Sequence, residues 1–241
     1  MPNIIKLPKE IAELIAAGEV IERPSSVIKE LCENSIDAKA TVITVEIKNG
    51  GITYMRVTDN GCGIKKEDIK TAFLRHATSK ITSKEDLNKI ASLGFRGEAL
   101  ASVSAVSRVE VLSAYNNETG VKYVINGGEE KEFFETGCPK GTTIIVRDLF
   151  YNTPARMKFL KRDATEGSAV GAIIERLALS PPEISFKFIK DGKTTLQTPG
   201  DNNGISAIYS VLGKDYAASL INLNETNEGI NVKGYICKPV Y

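Results

Sequence analysis

The feature that most constrains the fold is an alternation of apolar and polar residues on both sides of Asn49-Gly50-Gly51. The segments ATVITVEIK (40–48) and ITYMRVTD (52–59) each repeat with a period of two, which places one set of side chains on each face of a strand. An Asn-Gly turn reverses the chain tightly, so the pattern predicts a β-hairpin. Four later segments, RVEVLSAY, VKYVING, EKEFFET and GTTIIVRDLF, are separated by Gly- and Asn-rich turns and predict an antiparallel sheet.

Segments with helical periodicity flank these strands. Apolar residues recur at helical spacing over 11–15 and 27–31, and Pro24 marks the break between the two helices. The other predicted helices run over about 66–74, 98–106, 166–179 and 205–212. A further hairpin, ISFKFIKDGKTTLQT, turns at Asp191-Gly192. Helices on one face of the sheet give an α+β fold, a two-layer α/β sandwich with a mostly antiparallel sheet.

The tract TPGDNNG (198–204) is the best candidate for a linker, because it is rich in turn residues and has no apolar period. It predicts one domain over 1–200 and a second over 201–241. The second stretch is too short to bury an independent core. We therefore expect it to be the beginning of a truncated second α+β domain.

Composition excludes several classes of protein. The chain has 241 residues, 42% of them hydrophobic, and a net charge of +1, so the surface as a whole is not that of a nucleic-acid or membrane binder. Any contact with DNA must come from a local patch. The start, MPNIIKLPKEIAELIAAGEVIERP, has charges inside its apolar run and reads as neither a signal peptide nor a membrane span.

The cysteines and the histidine limit the chemistry further. The four cysteines are far apart and form no CxxC pair, which argues against zinc and against a disulfide scaffold and favours a reduced cytosol. His76 is the only histidine, so paired-histidine metal sites are excluded. A Ser/His or Cys/His nucleophile would have to use His76, although loop histidines are usually only solvated.

In the helix SSVIKELCENSIDA, Glu30, Asn34 and Asp37 form a stripe about 60° wide beside the apolar half. Such a stripe is often only a solvated face. Asn and Asp are poor residues for a helix interior, however, which suggests a further role. The Asn34 oxygen suits a hard cation such as Mg²⁺, and Glu30, one turn earlier, suits a base that deprotonates a water attacking a phosphoryl group.

Two glycine-rich segments are candidates for the rest of a nucleotide site. DNGCG (59–63) is compatible with a tight turn, a metal loop, a reactive thiol at Cys62, or a bend against a flat ligand whose exocyclic amine donates to Asp59. LGFRGEAL (93–100) places glycines before a helix whose N-terminal N–H groups attract phosphate. Each motif alone is weak, and neither GxxxxGKS nor GxGxxG is present.

The set ELCENSIDA, DNGCGI, RHATSK, GFRGEALASV and GTTIIVRDLFYNTPAR, in this order, closely resembles the N-terminal ATPase region of the MutL family of DNA mismatch repair proteins. The resemblance runs to about residue 200. The first two motifs are shared with the wider GHKL superfamily, which includes gyrase B, ninety-kilodalton heat-shock chaperones and histidine kinases, whereas GFRGEAL and FYNTPAR are typical of MutL. The resemblance implies a GHKL (Bergerat) ATPase domain followed by a ribosomal S5 domain 2-like domain.

The resemblance also implies roles for individual residues. Glu30 would be the general base, Asn34 would hold Mg²⁺, and Asp59 would read adenine, with Gly63 shaping the pocket and Thr143 closing it. The residues that would wrap the triphosphate and form a lid are Thr78, Ser79, Lys80, Gly94, Phe95, Arg96, Gly97, Glu98, Ala99 and Leu100.

Family behaviour implies a slow ATPase switch in which ATP and Mg²⁺ order the lid, two N-terminal regions form a homodimer, and hydrolysis to ADP releases them. The implied partners are the mismatch-recognition protein MutS, a downstream nuclease or helicase, and DNA bound nonspecifically through its phosphates; the implied location is cytoplasmic and nucleoid-associated, with no membrane partner. Candidate DNA contacts are Arg156, Lys158, Lys161 and Arg162. A solvated helix start explains that basic run equally well. A nucleotide-gated binding module with negligible turnover is the alternative function.

Overall fold

The structure is a computed structural model that describes residues 8, 17, 20–80, 93, 97–116 and 118–237. The described helices are α1 (Pro24–Asp37), α2 (Ala99–Ala105), α3 (Pro154–Met157), α4 (Asp163–Leu179), α5 (Gly204–Leu212) and α6 (Lys214–Ala218). The strands are β1 (Val42–Lys48), β2 (Tyr54–Asp59), β3 (Arg108–Ala114), β4 (Gly120–Asn126), β5 (Glu129–Thr136), β6 (Gly141–Arg147), β7 (Ser185–Lys190), β8 (Lys193–Gln197), β9 (Leu220–Asn227) and β10 (Ile230–Cys237). Among the described residues, no helix combines the length and apolar character needed to cross a membrane.

Eight strands form one sheet in the order β5-β4-β3-β6-β2-β1-β7-β8. Of the neighbouring pairs described, β1 and β7 run parallel and the others run antiparallel. The helices α1, α2 and α4 contact this sheet, and their buried residues join those of the strands in one core. The predicted α+β sandwich with a mostly antiparallel sheet is therefore confirmed.

The alternation in β1 explains how the sheet separates its faces. Ile43, Val45 and Ile47 are fully buried, while Thr44 and Glu46 between them are only partly covered. Because successive side chains of a strand point to opposite faces, the first set packs under the helices and the second lies on the open face. Burial of such side chains stabilises the sandwich by about 1.5–3 kcal/mol each.

Both predicted hairpin turns are present and use residues that accept a left-handed backbone. Asn49 and Gly50 have φ of 50° and 67°, and Asp191 and Gly192 have φ of 49° and 80°. Gly50 has a second constraint, since a Cβ there would lie 2.5 Å from the backbone oxygen of Asp163. The first turn is thereby fixed against the start of α4.

The predicted helix over 66–74 is wrong. The segment instead forms turns followed by a short 3₁₀ helix, Thr71–Phe73, and the chain becomes extended at Leu74. Only Ile69 and Phe73 of this segment are buried. Two buried side chains give too little packing to propagate an α-helix. The helix predicted over 11–15 lies outside the described residues.

The other helix predictions are confirmed with shifted ends. The helix α2 begins at Ala99, one residue after its predicted start, and α4 begins at Asp163, three residues earlier than predicted. Asp163 and Glu166 both lie in the first turn of α4, where negative charge interacts favourably with the helix dipole.

The last forty residues contain α5, α6 and a separate two-stranded sheet of β9 and β10. The helix α5 contacts α4 and β8 and buries Ala207. Asn203 caps α5, because its side chain accepts a 3.0 Å hydrogen bond from the Ile205 N–H. The domain boundary after residue 200 stays a prediction.

Candidate functional site

The helix α1 turns an apolar side to the sheet and a polar side to two loops. Pro24 occupies its first turn, a position where the missing N–H carries no cost. Val27, Ile28 and Leu31 are buried in the core. The predicted stripe lies at the margin of this packing, and the Glu30 side chain keeps 30% of its surface exposed, with Lys29 Nζ 3.7 Å from its carboxylate.

Asn34 and Asp37 meet the loop that follows Thr71–Phe73. Lys80 donates from Nζ to the Asn34 Oδ1 atom at 3.0 Å and also to Asp37 Oδ2. The Lys80 N–H donates to Thr78 Oγ1 at 3.1 Å, which rigidifies the turn that carries the lysine. The structure therefore brings Asn34 together with Lys80, which the family resemblance placed in the triphosphate loop, while Thr78 supports the turn that carries the lysine.

Asp59 lies at the end of β2, beside the C-terminal half of α1. Its Oδ2 atom accepts from the Ser35 hydroxyl at 2.8 Å, and its Oδ1 atom accepts from the Gly61 and Thr142 N–H groups at 2.8 and 3.3 Å. Burial raises the pKa of the Asp59 carboxyl, and these three hydrogen bonds act in the opposite direction. The Asp59 carboxylate is thus held in one orientation. Its partner Ser35 is the residue that follows Asn34 on α1.

The predicted role of Thr143 requires correction. Thr143 Oγ1 donates to Thr58 Oγ1 at 3.1 Å, and Thr58 precedes Asp59 on β2. Neighbouring strand residues point to opposite faces, so the Thr143 side chain lies on the open face of the sheet, away from Asp59. Thr142 is the residue that meets Asp59, and its hydroxyl is buried 3.0 Å from Ser113 Oγ.

The DNGCG segment is a bend with little free space around it. A Cβ on Gly63, whose φ is 78°, would lie 2.1 Å from the Ala114 backbone oxygen, and one on Gly61 would lie 2.7 Å from that of Ala38. Asn60 ties the bend to β1, because its Oδ1 atom accepts from the Thr41 and Val42 N–H groups at 2.8 and 2.9 Å. The glycines are therefore required by close packing.

Cys62 lies exposed within this bend. Its backbone N–H donates to Ala38 O at 3.0 Å and its carbonyl accepts from the Asn116 N–H at 3.0 Å. These bonds fix the bend between the end of α1 and the end of β3.

The part of the second predicted lid segment that the structure describes, residues 97–100, packs against the loop that carries residues 76–80. A Cβ on Gly97, whose φ is 62°, would lie 2.6 Å from the Ala77 backbone oxygen. Glu98 Oε1 lies 3.2 Å from His76 Nδ1, and the His76 side chain is 79% exposed. The only histidine thus joins the two loops at the surface.

The remaining predicted lid residues lie in a loop, at the start of α2, or outside the described residues. Ser79 is exposed, and Ala99 and Leu100 begin α2, with Leu100 packed on the core. Gly94, Phe95 and Arg96 lie outside the described residues.

The basic run of residues 156–162 lies toward the end of β6 that is opposite Asp59. β6 begins at Gly141 beside Asp59 and ends at Arg147, about 20 Å further along, and the run follows from there. Lys158, Lys161 and Arg162 are exposed, whereas Arg156 is half-buried. The structure does not bring these residues to the Asn34–Asp59 cluster.

An ion pair between the partly exposed Arg23 and the buried Glu166 anchors the basic run to α1. Glu166 is fully buried, and Arg23, which precedes α1, donates to its two oxygens at 2.9 and 3.2 Å. The Lys161 N–H donates to Glu166 Oε1 at 2.9 Å. Burial disfavours the charged carboxylate, but the hydrogen bonds from Arg23 and Lys161 outweigh it and hold the pKa of Glu166 below its usual range.

Sequence reasoning missed Ser35 and Thr142, and it left Asp37 without a role. A signal for Ser35 was present, because a hydroxyl in the buried half of the helical wheel requires a partner. Nothing in the sequence distinguished Thr142 from Thr143.

Comparison with known families gives a match over residues 21–132 to the family described as histidine kinase-, DNA gyrase B- and HSP90-like ATPase. Among curated proteins, the chain is 55% identical over its whole length to the DNA mismatch repair protein MutL of Agathobacter rectalis. It is 48% identical, over 99% of its length, to MutL of Pelotomaculum thermopropionicum. The chain spans 37% and 40% of the length of these two relatives.

Comparison with solved structures gives the same result. The Aquifex aeolicus MutL ATPase domain complexed with ADP superposes with a TM-score of 0.67 at 34% identity, over 86% of this chain and 73% of that one. The N-terminal domain of a DNA repair protein superposes with a TM-score of 0.76 at 28% identity, over 97% of this chain and 74% of that one.

Proposed function

The chain belongs to the MutL family of DNA mismatch repair proteins and carries its GHKL ATPase domain, and from that premise we propose that it binds Mg²⁺·ATP and hydrolyses it slowly as a molecular switch. The observation that carries the proposal is the position of Asp59, which is bonded to Ser35 directly beside Asn34 on α1. The carboxylate that we propose to read the base and the amide that we propose to hold the metal thereby lie at one junction of helix and sheet.

Adenine recognition rests on Asp59. Its carboxylate retains acceptor capacity after bonding to Ser35, Gly61 and Thr142, because two ionised oxygens offer about four lone-pair sites. An exocyclic amine is a donor suited to that capacity. Gly63 lets the backbone bend close to a flat base, and Thr142 replaces Thr143 as the residue that supports Asp59 from β6.

The cation site rests on Asn34. The ammonium of Lys80 lies on its Oδ1 atom, which supports a position that accepts a cation, and an amide oxygen suits Mg²⁺. Asn34 would hold the ion, which when bound neutralises charge on the phosphates. Glu30, on the same side of α1 one turn earlier, would orient the attacking water and accept its proton.

The switch concerns the two predicted lid segments, residues 78–80 and 94–100. ATP would order these loops and promote dimerisation, because the triphosphate makes contacts that the diphosphate lacks. The exposed Lys158, Lys161 and Arg162 would bind DNA phosphates. MutS and a downstream nuclease or helicase would be the partners that read the two states, and the protein would be cytoplasmic and associated with the nucleoid.

Titration calorimetry with ATP and ADP, with Mg²⁺ or with EDTA, tests the proposal when phosphate release is followed in the same samples. We expect Mg²⁺-dependent binding and slow release. Binding without release would favour a nucleotide-gated module with negligible turnover. No binding of either nucleotide would refute both functions for this chain.

A further inference from the structure

Lys80 forms an internal clasp across the candidate cation site. Its ammonium bonds to the neutral oxygen of Asn34 at 3.0 Å and to the carboxylate of Asp37. The Lys80 and Asp37 side chains expose only 21% and 15% of their surface, so the pair is largely shielded from water. The ion pair is therefore stronger than one on an open surface.

Asp37 also holds the second loop. Its other oxygen, Oδ1, accepts from the Leu93 N–H at 3.2 Å. One carboxylate at the end of α1 thus bonds to Lys80 in the first predicted lid segment and to Leu93 just before the second. Release of this carboxylate would free both attachments together.

The clasp and a bound Mg²⁺ compete for one atom. Mg²⁺ binds oxygen ligands at about 2.1 Å, and Lys80 Nζ lies 3.0 Å from Asn34 Oδ1. Both cations on that oxygen would be at most about 5 Å apart, well inside the screening length of roughly 8 Å. Their repulsion favours departure of the lysine when the ion arrives.

We propose that Lys80 is a displaceable internal cation that occupies the Mg²⁺ position on Asn34 in the nucleotide-free protein. This inference rests on the proposed function. Arrival of Mg²⁺·nucleotide moves the ammonium from Asn34 and Asp37 to the phosphate oxygens, so the Asn34 oxygen exchanges the ammonium for the metal ion. Asp37 is the positioning residue that sets how firmly the clasp closes.

The test uses Mn²⁺ alone on the nucleotide-free protein, so that loss of a phosphate contact cannot affect the result. Water-proton relaxation measures Mn²⁺ binding to wild type, Lys80→Met and Lys80→Arg. Removing the competing cation should strengthen Mn²⁺ binding by at least about tenfold in Lys80→Met, the effect of one charge-assisted hydrogen bond. Lys80→Arg keeps the charge and should resemble wild type. Adding Asn34→Ala to Lys80→Met should remove the gain.

Lys70→Met is the matched control, because Lys70 forms an exposed ion pair with Glu130 at 2.7 Å; its Mn²⁺ binding should equal that of wild type. Equal Mn²⁺ binding in wild type and Lys80→Met, whether measurable or below detection, would overturn the inference. Wild-type calorimetry with Mg²⁺·ATP separates the two proposals. If wild type binds Mg²⁺·ATP but Lys80→Met binds Mn²⁺ no more tightly than wild type, only the clasp is refuted. If wild type does not bind Mg²⁺·ATP, the proposed function is refuted.

Discussion

The Ser35 hydroxyl donates a 2.8 Å hydrogen bond to Asp59 Oδ2 and so ties α1 to the end of β2. Ser35 itself is buried. This bond is the direct link between the helix that carries Asn34 and the strand that carries Asp59. It fixes how the proposed cation site and the proposed base site lie relative to each other.

Ser35→Ala should weaken ATP binding by about three- to tenfold, the effect of losing one hydrogen bond of about 1 kcal/mol. It should also raise the pKa of Asp59 further, because the Ser35 bond favours the ionised form. Calorimetry with Mg²⁺·ATP measures the affinity. Ser168→Ala is the control, since Ser168 bonds only within α4 to Ala164 O; equal losses in both variants would contradict a specific role for Ser35.

Glu30→Ala should retain Mg²⁺·ATP binding and reduce turnover by about 10²-fold or more, because a general base contributes that factor. Phosphate release and calorimetry on the same preparation separate the two effects. Glu183→Ala, at an exposed position, should leave both unchanged. Unaltered turnover in Glu30→Ala would exclude Glu30 as the base.

Gly63→Ala should destabilise the fold by about 3 kcal/mol or more, because strain at positive φ adds to a clash with the Ala114 carbonyl. Gly192→Ala is the matched control: its φ of 80° is close to the 78° of Gly63, and no atom lies within 4 Å of its added Cβ. Backbone strain alone should cost it about 1–2 kcal/mol. Urea unfolding measures both, and equal costs would show that the bend adjusts to a side chain.

Glu166→Gln should lower stability at pH 7 by about 2 kcal/mol, since it removes the buried charge that pairs with Arg23. The folded pKa of Glu166 lies below the ordinary 4.5, so its stabilisation is fully present above about pH 4.5 and is lost as the pH falls through the folded value. The difference from wild type should therefore shrink on acidification. Thermal unfolding from pH 7 to 3.5 measures this difference, and Glu175→Gln, at an exposed position, is the control. A stability difference between wild type and Glu166→Gln that grows on acidification would contradict a lowered pKa of Glu166.

Replacing Lys158, Lys161 and Arg162 together by Gln should weaken nonspecific DNA binding and reduce the salt dependence. Each lost phosphate contact lowers the slope of log K against log salt by about 0.9, so a total change of about 3 is expected. Fluorescence anisotropy over a salt series measures it. The charge-matched control replaces three exposed lysines elsewhere by Gln: Lys193, Lys214 and Lys233. An unchanged slope in the variant that lacks Lys158, Lys161 and Arg162 would indicate that these residues are solvated and do not bind DNA.

The elements that follow from local chemistry were predictable. Asn49-Gly50 and Asp191-Gly192 specify their turns through left-handed backbone angles, and the apolar side of α1 follows from helical periodicity. The helix over 66–74 was wrong because local spacing does not reveal how few of its side chains find a core. Only tertiary packing decides that.

The candidate site residues could be chosen from the sequence, but their contacts could not be predicted from it. Thr142 and Thr143 are chemically identical, and a strand shifted by one residue presents the other face, so only the register with β2 distinguishes them. The clasp between Lys80 and Asp37 joins residues 43 apart in sequence. No local pattern links two such residues, whereas the stripe on α1 could be read from periodicity alone.

The parallel pairing of β1 with β7 joins residues 42–47 to residues 185–190. Contacts of such long sequence separation form late, because a large loop must close first. During synthesis, β1 can pair with β2 as soon as the hairpin emerges, yet its other edge has no partner until about 140 residues later. An unpaired edge can join another chain, so the newly made protein passes through an interval of exposure to misassembly that ends only when β7 docks.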